Sequence, residues 1–268
     1  MSNLTILRQY AAKMPSSLPN AVLFQSSDKY LTIFDAYPKS IFHFLILPRI
    51  EDGAVAGEES QGKFSVQELR NLKALLRTSD KQKAKKLIEE LKSEADSVKR
   101  QIEEEMVERY GFKWGVWVGF HAVPSMEHLH LHVLSADLVS EKMKKKKHYN
   151  SFHPSLGFFL HIDDVLEWFE STPEYFEQVT ELNPKKYESL LKDSLACFTC
   201  GSAMKNIPTL KVHLQEEWDK LEKKFKRPAV KRKMVEHPVE DQVEGAREGR
   251  SEVGDDENPS KKAKKDGQ

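Results

Sequence analysis

The stretch at positions 128–134, HLHLHVL, alternates polar and apolar side chains with a strict period of two. A helix would scatter these side chains around its axis, whereas a strand sends residues i, i+2 and i+4 to one side. The alternation predicts a strand with Leu129, Leu131 and Val133 on the core and His128, His130 and His132 together on the opposite face. Three of the chain's 10 histidines stand here. A half-exposed strand that merely carries histidines is one reading. A metal site is a second, because same-face imidazoles chelate. Nucleophilic catalysis on phosphorus is a third, because imidazole is largely neutral near pH 7 and attacks without a metal.

The surrounding pattern predicts an α+β domain on a mostly antiparallel sheet. A short helix over Leu4–Lys13 precedes β-rich runs at Ala21–Phe24, Tyr30–Phe34 and Phe42–Leu47, punctuated by SSDK and DAYPKS. From Leu69 to Glu108, residues Leu87, Leu91, Ala95, Val98, Ile102 and Met106 recur every three to four positions, as on the buried stripe of a helix. RTSDK at 77–81 divides this stretch in two. Strands return at Gly115–His121 and His128–Leu134, and a basic loop, EKMKKKKHYNSFH, leads to LGFFLHI and a helix over Asp163–Glu170. Strands, then helices, then strands again point to the α+β class.

A second constellation lies in CFTCGSAMKNIPTLKVHLQEEW. Cys197-x2-Cys200-x12-His213 has the spacing of a zinc finger: a knuckle, a turn, then a helix carrying the third ligand. Helical geometry places the fourth ligand at i+4, which is Glu217, and carboxylate oxygen is an acceptable zinc ligand. Leu210, Leu214 and Trp218 are expected to form a small core beside the metal. A redox CxxC pair and a three-ligand site completed by water are the alternatives. No thioredoxin-like βαβ pattern surrounds the cysteines, which weakens the redox case. One structural zinc per chain is expected.

Two cysteines are too few for a disulfide scaffold and fit a reducing compartment. No run of 18 apolar residues exists, so no membrane span is expected, and the N-terminus shows no basic-then-apolar leader. The formal charge is zero, 42 basic against 42 acidic residues, yet Pro184–Lys233 holds 13 Lys and Arg against 6 Asp and Glu. Such a local basic face, not the net charge, attracts a polyanion. Glu51–Gly62 and Val239–Glu257 are acid-rich and read as loop and tail. Beyond Arg227 hydrophobicity collapses, and 234–268 reads as disordered. KLEKKFKRPAVKRK reads either as a DNA-contacting helix end or as a nuclear signal, and PSKKAKK looks like a second basic signal, so a nuclear location is expected.

HLHLHVL resembles the signature of the histidine triad superfamily of nucleotide hydrolases and transferases. DAYPKSIFHFLILPR (35–49), GFHAVPSMEHLHLHVLS (119–135) and KKKHYNSF (145–152) narrow the resemblance to the aprataxin family, which joins a histidine triad domain to a C-terminal zinc finger. The resemblance implies removal of AMP from adenylated DNA 5′ ends, without a metal in the triad. His130 would be the nucleophile, forming a covalent AMP–histidine intermediate, while His132 and His128 contact the phosphate or fix the imidazole tautomer. His43 matches the position that assists proton transfer to the leaving group, and His121 is a further active-site candidate. Asp35 matches the residue that takes the ribose hydroxyls, and Lys39 a position near the nucleotide. In the resembled family an aromatic residue on the N-terminal helix wedges against the exposed base pair; here the matching turn carries Leu4, with Tyr10 nearly two turns on.

Beside a strand for phosphate chemistry, Lys144, Lys145, Lys146 and Lys147 suit sequence-independent attraction to DNA through counterion release. Ser135, His148 and Ser151 are candidates for hydrogen bonds to phosphates. The expected organisation is a histidine triad catalytic domain over 1–172, a connector over 173–195, a zinc finger over 196–226 and a disordered tail with basic clusters over 227–268. The chain opens almost on the catalytic domain, so recruitment through a forkhead-associated module is not part of the expectation. The expected function is a monomeric DNA 5′-adenylate hydrolase of single-strand break repair that acts on nicked or 5′-adenylated DNA and releases AMP. The alternatives are a histidine triad hydrolase of small nucleoside phosphoramidates or dinucleotides, and a zinc-finger nucleic-acid-binding protein without catalysis.

Overall fold

The computed structural model describes residues 4–50 and 64–226. The acidic 51–62 stretch and the tail with its basic clusters lie outside them. Helix α1 (Ile6–Ala11) leads into strands β1 (Leu23–Ser26), β2 (Tyr30–Phe34) and β3 (His43–Pro48). Helices α2 (Leu72–Leu76) and α3 (Lys81–Tyr110) follow, with strands β4 (Val116–His121) and β5 (Leu131–Ser135) behind them. The expected break between the helices falls at 77–80, where the Asp80 side chain accepts from Lys83 N–H and starts α3; the Asn71 side chain caps α2 by accepting from Ala74 N–H. Gly111, with φ 80°, closes α3 in the left-handed conformation.

The sheet has six antiparallel strands in the order β1-β2-β3-β5-β4-β6, where β6 is Phe159–His161. One face is the main core. Phe44, Ile46, Leu131, Val133 and Phe120 pack there with Leu87, Ile88, Leu91, Ala95, Val98 and Ile102 of α3, the stripe read from the sequence. The other face is divided. At one end Leu31, Ile33, Leu45 and Leu47 pack with Leu7 of α1. At the other end Leu134 and Phe159 pack with Met143, Phe152, Leu195, Cys197, Leu210 and Leu214. Since His132 and Leu134 alternate with the core-facing Leu131 and Val133, the histidines emerge on this second face.

After β6 come α5 (Ile162–Trp168), α6 (Pro173–Thr180) and α7 (Pro184–Leu190), then a two-stranded ribbon, β7 (Leu195–Ala196) and β8 (Ala203–Met204), and α8 (Ile207–Lys226). The small core expected beside the metal is met in part: Leu210 and Leu214 pack with Cys197 and Leu195 against the sheet's second face, while Trp218 departs. Trp218 packs against Tyr110, Phe112 and Trp114 beyond the end of α3, with ring centroids 5.5–6.2 Å apart. A unit this small gains most of its burial from a neighbour. No helix among the described residues is long and apolar enough to cross a membrane.

Candidate active site

The alternation predicts a strand from His128, and here the structure differs. Pairing begins at Leu131, because His128 takes φ 91°, outside the region that L-residues favour. Hydrogen bonds from the flanking backbone hold it there: His128 N–H to Arg70 O at 2.9 Å and Leu129 N–H to Leu69 O at 2.7 Å. The side-chain alternation survives the kink. Leu129 joins the core, while His128, His130 and His132 are buried on the other side, which excludes the solvated-face reading.

Each imidazole has a partner that fixes its tautomer. Nδ1 of His130 lies 2.7 Å from the carbonyl of His128. A carbonyl only accepts, so Nδ1 carries the proton and Nε2 the lone pair. Nε2 of His128 lies 2.7 Å from Pro48 O and so donates. The backbone N–H of Lys39 donates to Nδ1 of His43 at 3.1 Å, which leaves the His43 proton on Nε2. That nitrogen is 3.0 Å from Nδ1 of His132 and 3.5 Å from Oδ2 of Asp35. His132 therefore accepts on Nδ1 and presents an N–H at Nε2, a buried donor without a partner. Such a group is costly unless a ligand oxygen satisfies it.

Asp35, His43 and His132 also have the mutual spacing of a metal site, within 4.8 Å. The tautomers argue for a proton relay instead. A metal on His43 Nε2 would push the ring proton to Nδ1, against the Lys39 N–H. The His43 side chain is fully buried, and its Nε2 faces Nδ1 of His132 and Oδ2 of Asp35.

Burial is the first cause of every histidine shift here. It pushes His43 and His128 down to about 4, His130 below its ordinary value, and His121 and His132 well below. All five rings are neutral at pH 7. The Lys39 ammonium adds to the depression of His43, His121 and His132, which places a cation beside the cluster. Its Nζ is held by the carbonyl of Tyr37, and Oδ1 of Asp35 accepts from Tyr37 N–H at 2.7 Å. Asp35 thus sits in a turn, with the exposed aromatics Phe34 and Tyr37 on either side.

Residues missed in the sequence complete the site. Phe152 sets its ring edge-on to His43 and His132, with centroids 5.3 and 5.2 Å away, and lies 4.6 Å from His121. Gly119 pairs with His132; a Cβ there would stand 2.4 Å from Leu160 O and 2.8 Å from the Phe159 ring. An isolated glycine inside a β-pattern is the signal that could have found it.

The basic segment is partly helical: Lys146 and Lys147 open α4 (Lys146–Asn150). Lys144, Lys145, Lys146 and Lys147 are all exposed, and Nζ of Lys146 donates to Lys192 O at 2.8 Å. His148 is half-buried. Ser135 is fully buried, donating to Asp137 and accepting from Phe42 N–H at 3.0 Å, so it joins strands. Ser151 donates to His148 O at 3.0 Å.

The donor atoms of Cys197, Cys200 and His213 lie within 4.8 Å of one another. Tetrahedral zinc needs ligand separations of about 3.3–3.8 Å, and Cys200 Sγ to His213 Nε2 is 3.2 Å. Hydrogen bonding by Ser202 first, with His213 contributing, brings the Cys200 thiol down to about 7, toward the thiolate that binds metal. Glu217 Oε1 stands 3.9 Å from His213 Nε2 and is engaged by Lys220 at 2.8 Å. These residue types fit a zinc ion.

Comparison with known proteins agrees with both constellations. Residues 155–220 match the C2HE / C2H2 / C2HC zinc-binding finger, and residues 63–148 match the family described as scavenger mRNA decapping enzyme C-term binding. Aprataxin of Danio rerio is 32% identical over 188 residues, 70% of this chain and 47% of that protein. The aprataxin-like protein of Saccharomyces cerevisiae is 32% identical over 174 residues, 59% of this chain and 72% of the relative. Hnt3 in complex with DNA and guanosine superposes with a TM-score of 0.59 at 28% identity, covering 83% of this chain and 99% of that one. The aprataxin ortholog Hnt3 from Schizosaccharomyces pombe gives 0.56 at 29%, covering 78% and 90%. The chain spans about half the length of the curated relatives from Danio rerio, Ciona intestinalis and Gallus gallus. A buried histidine cluster on an antiparallel sheet, a finger packed beside it, and aprataxin and aprataxin-like relatives about 30% identical over most of the chain lead to one assignment: the chain belongs to the aprataxin family.

Proposed function

We propose that this protein removes AMP from adenylated 5′ ends of DNA by way of a covalent AMP–His130 intermediate. The observation that carries the reading is the tautomer of His130, whose Nδ1–H is held by its own backbone neighbour and whose Nε2 lone pair is left to attack. Attack forms an Nε2–P bond and breaks the pyrophosphate P–O bond, so the DNA 5′-phosphate departs. The ring then carries positive charge, which the His128 carbonyl stabilises through Nδ1–H. The unpartnered Nε2–H of His132, backed by the His43 relay, donates to a phosphoryl oxygen, and Lys39 offsets charge nearby. Water next cleaves the phosphoramidate and frees AMP and His130.

Asp35 would take the ribose hydroxyls, with the exposed Tyr37 ring two residues on offering apolar surface to the base. A DNA substrate fits the exposed lysines at the start of α4 and the Hnt3 complex with DNA. Cys197, Cys200, His213 and Glu217 would hold one structural zinc. When bound it supplies folding energy, not chemistry at the histidines.

Turnover of a 5′-adenylated nicked duplex is to be compared with that of a small AMP amidate, for wild type and His130→Ala. The reading expects preference for the duplex and loss of both activities in the variant. Preference for the amidate would make this a small-molecule hydrolase, and turnover of neither would remove catalysis altogether.

A further inference from the structure

Helix α4 faces two ways. Its lysines are exposed, while Tyr149 and Asn150 are completely buried. The Tyr149 hydroxyl donates to Ala196 O at 2.8 Å and accepts from Phe198 N–H at 2.9 Å, gripping the backbone on both sides of Cys197. Nδ2 of Asn150 donates to Asp193 O at 2.9 Å and lies 3.3 and 3.4 Å from Leu190 O and Leu191 O. Three residues beyond Tyr149, Phe152 forms the wall against His43, His121 and His132. Tyr149, Phe152, Cys197, Leu210 and Leu214 share one packed core. No step of the proposed chemistry uses Tyr149.

We infer that Tyr149 is a positioning residue through which the Cys197 knuckle sets the arrangement of the imidazoles. Close-packed interiors pass displacements on, and misplacing a reacting group by about 1 Å costs about a hundredfold in rate. Three residues of chain between the Tyr149 hydroxyl and the Phe152 ring leave little slack to absorb a shift. Disorder at the knuckle therefore reaches the histidines through α4, which makes the metal site a support for the chemistry as well as for the fold. The inference rests on the proposed function only in calling the imidazoles catalytic.

The test uses the zinc-loaded full chain and Tyr149→Phe, which keeps the ring and removes both hydrogen bonds. The expected result has four parts: zinc content stays at wild-type level; KM for the 5′-adenylated nick stays within about twofold; the first-turnover rate of AMP-adduct formation falls about tenfold; and the 15N signals of the His121 and His132 rings shift. Chelating the zinc from wild type should move the same signals, and in Tyr149→Phe chelation should add little, since both act by one route. Unchanged ring signals in the variant, or a fully additive effect of chelation, overturns the inference. If the variant is too unstable to compare, Phe152→Leu, which lies against the imidazoles, must shift the same signals and blunt the response to chelation. The ring signals need no substrate. A chain inactive on adenylated DNA would therefore refute the function while this coupling is still decided.

Discussion

The backbone carbonyl of His128 lies 2.7 Å from Nδ1 of His130, so the peptide of one histidine dictates the tautomer of the next. The left-handed φ of His128 aims that carbonyl, and backbone strain at a site of this kind is held by its surroundings. His130→Ala removes the lone pair that this contact prepares. Turnover should fall on the order of 10³-fold or more, with no acid-labile AMP adduct and an unchanged circular dichroism spectrum. An adduct that persists in the variant would move the nucleophile elsewhere.

Asp35 tests the nucleotide end of the site. Its Oδ1 is engaged by Tyr37 N–H, while Oδ2 is 3.5 Å from His43 Nε2 and the side chain keeps 13% exposure, enough to accept from a ribose. Asp35→Ala should raise KM about tenfold or more for a ribonucleoside adenylate, the loss expected for hydrogen bonds to a charged group. A 2′-deoxyadenylate should suffer less. Equal losses on the two substrates would show that Asp35 acts through His43 alone.

The parity rule that revealed the histidines reaches further than its first use. Ser135 shares the parity of Leu131 and Val133, so the same alternation puts it on the core face, where it bonds Asp137. Parity could not reveal the kink at His128, because Arg70 and Leu69 impose it from about 60 residues away in sequence. Cys197, Cys200 and His213 were legible because a metal constrains spacing directly. Phe152 and Tyr149 were not. Their roles depend on which distant elements meet over the second face of the sheet, and a local pattern carries no record of that.

The buried imidazoles make stability depend on acid. His43 and His128 titrate near 4 in the folded chain and near 6.5 when unfolded. Between those values the unfolded chain binds more protons, so stability rises with pH, is complete above about 6.5 and is lost as pH falls toward 4. Each of the two contributes roughly 3 kcal/mol by this linkage, and His130, His132 and His121 act in the same direction. Calorimetry should find a flat melting temperature from pH 7 to 8 and a steep decline below pH 6. A melting temperature constant down to pH 4.5 would contradict neutral burial.

Glu217 is the least secured of the four proposed zinc ligands, since Lys220 holds its Oε1 at 2.8 Å. Zinc binding should draw the carboxylate from this exposed pair, which is worth little. Metal analysis should find one zinc per chain in wild type and in Glu217→His, at least about tenfold weaker affinity in Glu217→Ala, and no retained zinc in Cys200→Ser. A second zinc that depends on His130 and His132 would revive the metal reading of the triad.

The lysines that open α4 divide by what already holds them. Lys146 donates to Lys192 O, whereas Lys144, Lys145 and Lys147 have exposed side chains that, under the proposed function, would meet phosphates without reading sequence. Each phosphate contact contributes a slope of about −0.9 to the logarithmic salt dependence of duplex binding. Replacing Lys144, Lys145 and Lys147 with alanine together should reduce the magnitude of that slope by two to three. Affinity for the adenylated duplex should weaken uniformly across base sequences, while hydrolysis of a small AMP amidate stays at the wild-type rate. If the salt slope is unchanged, the lysines are an ordinary solvated face. If amidate hydrolysis falls too, their effect runs through the imidazoles by way of α4.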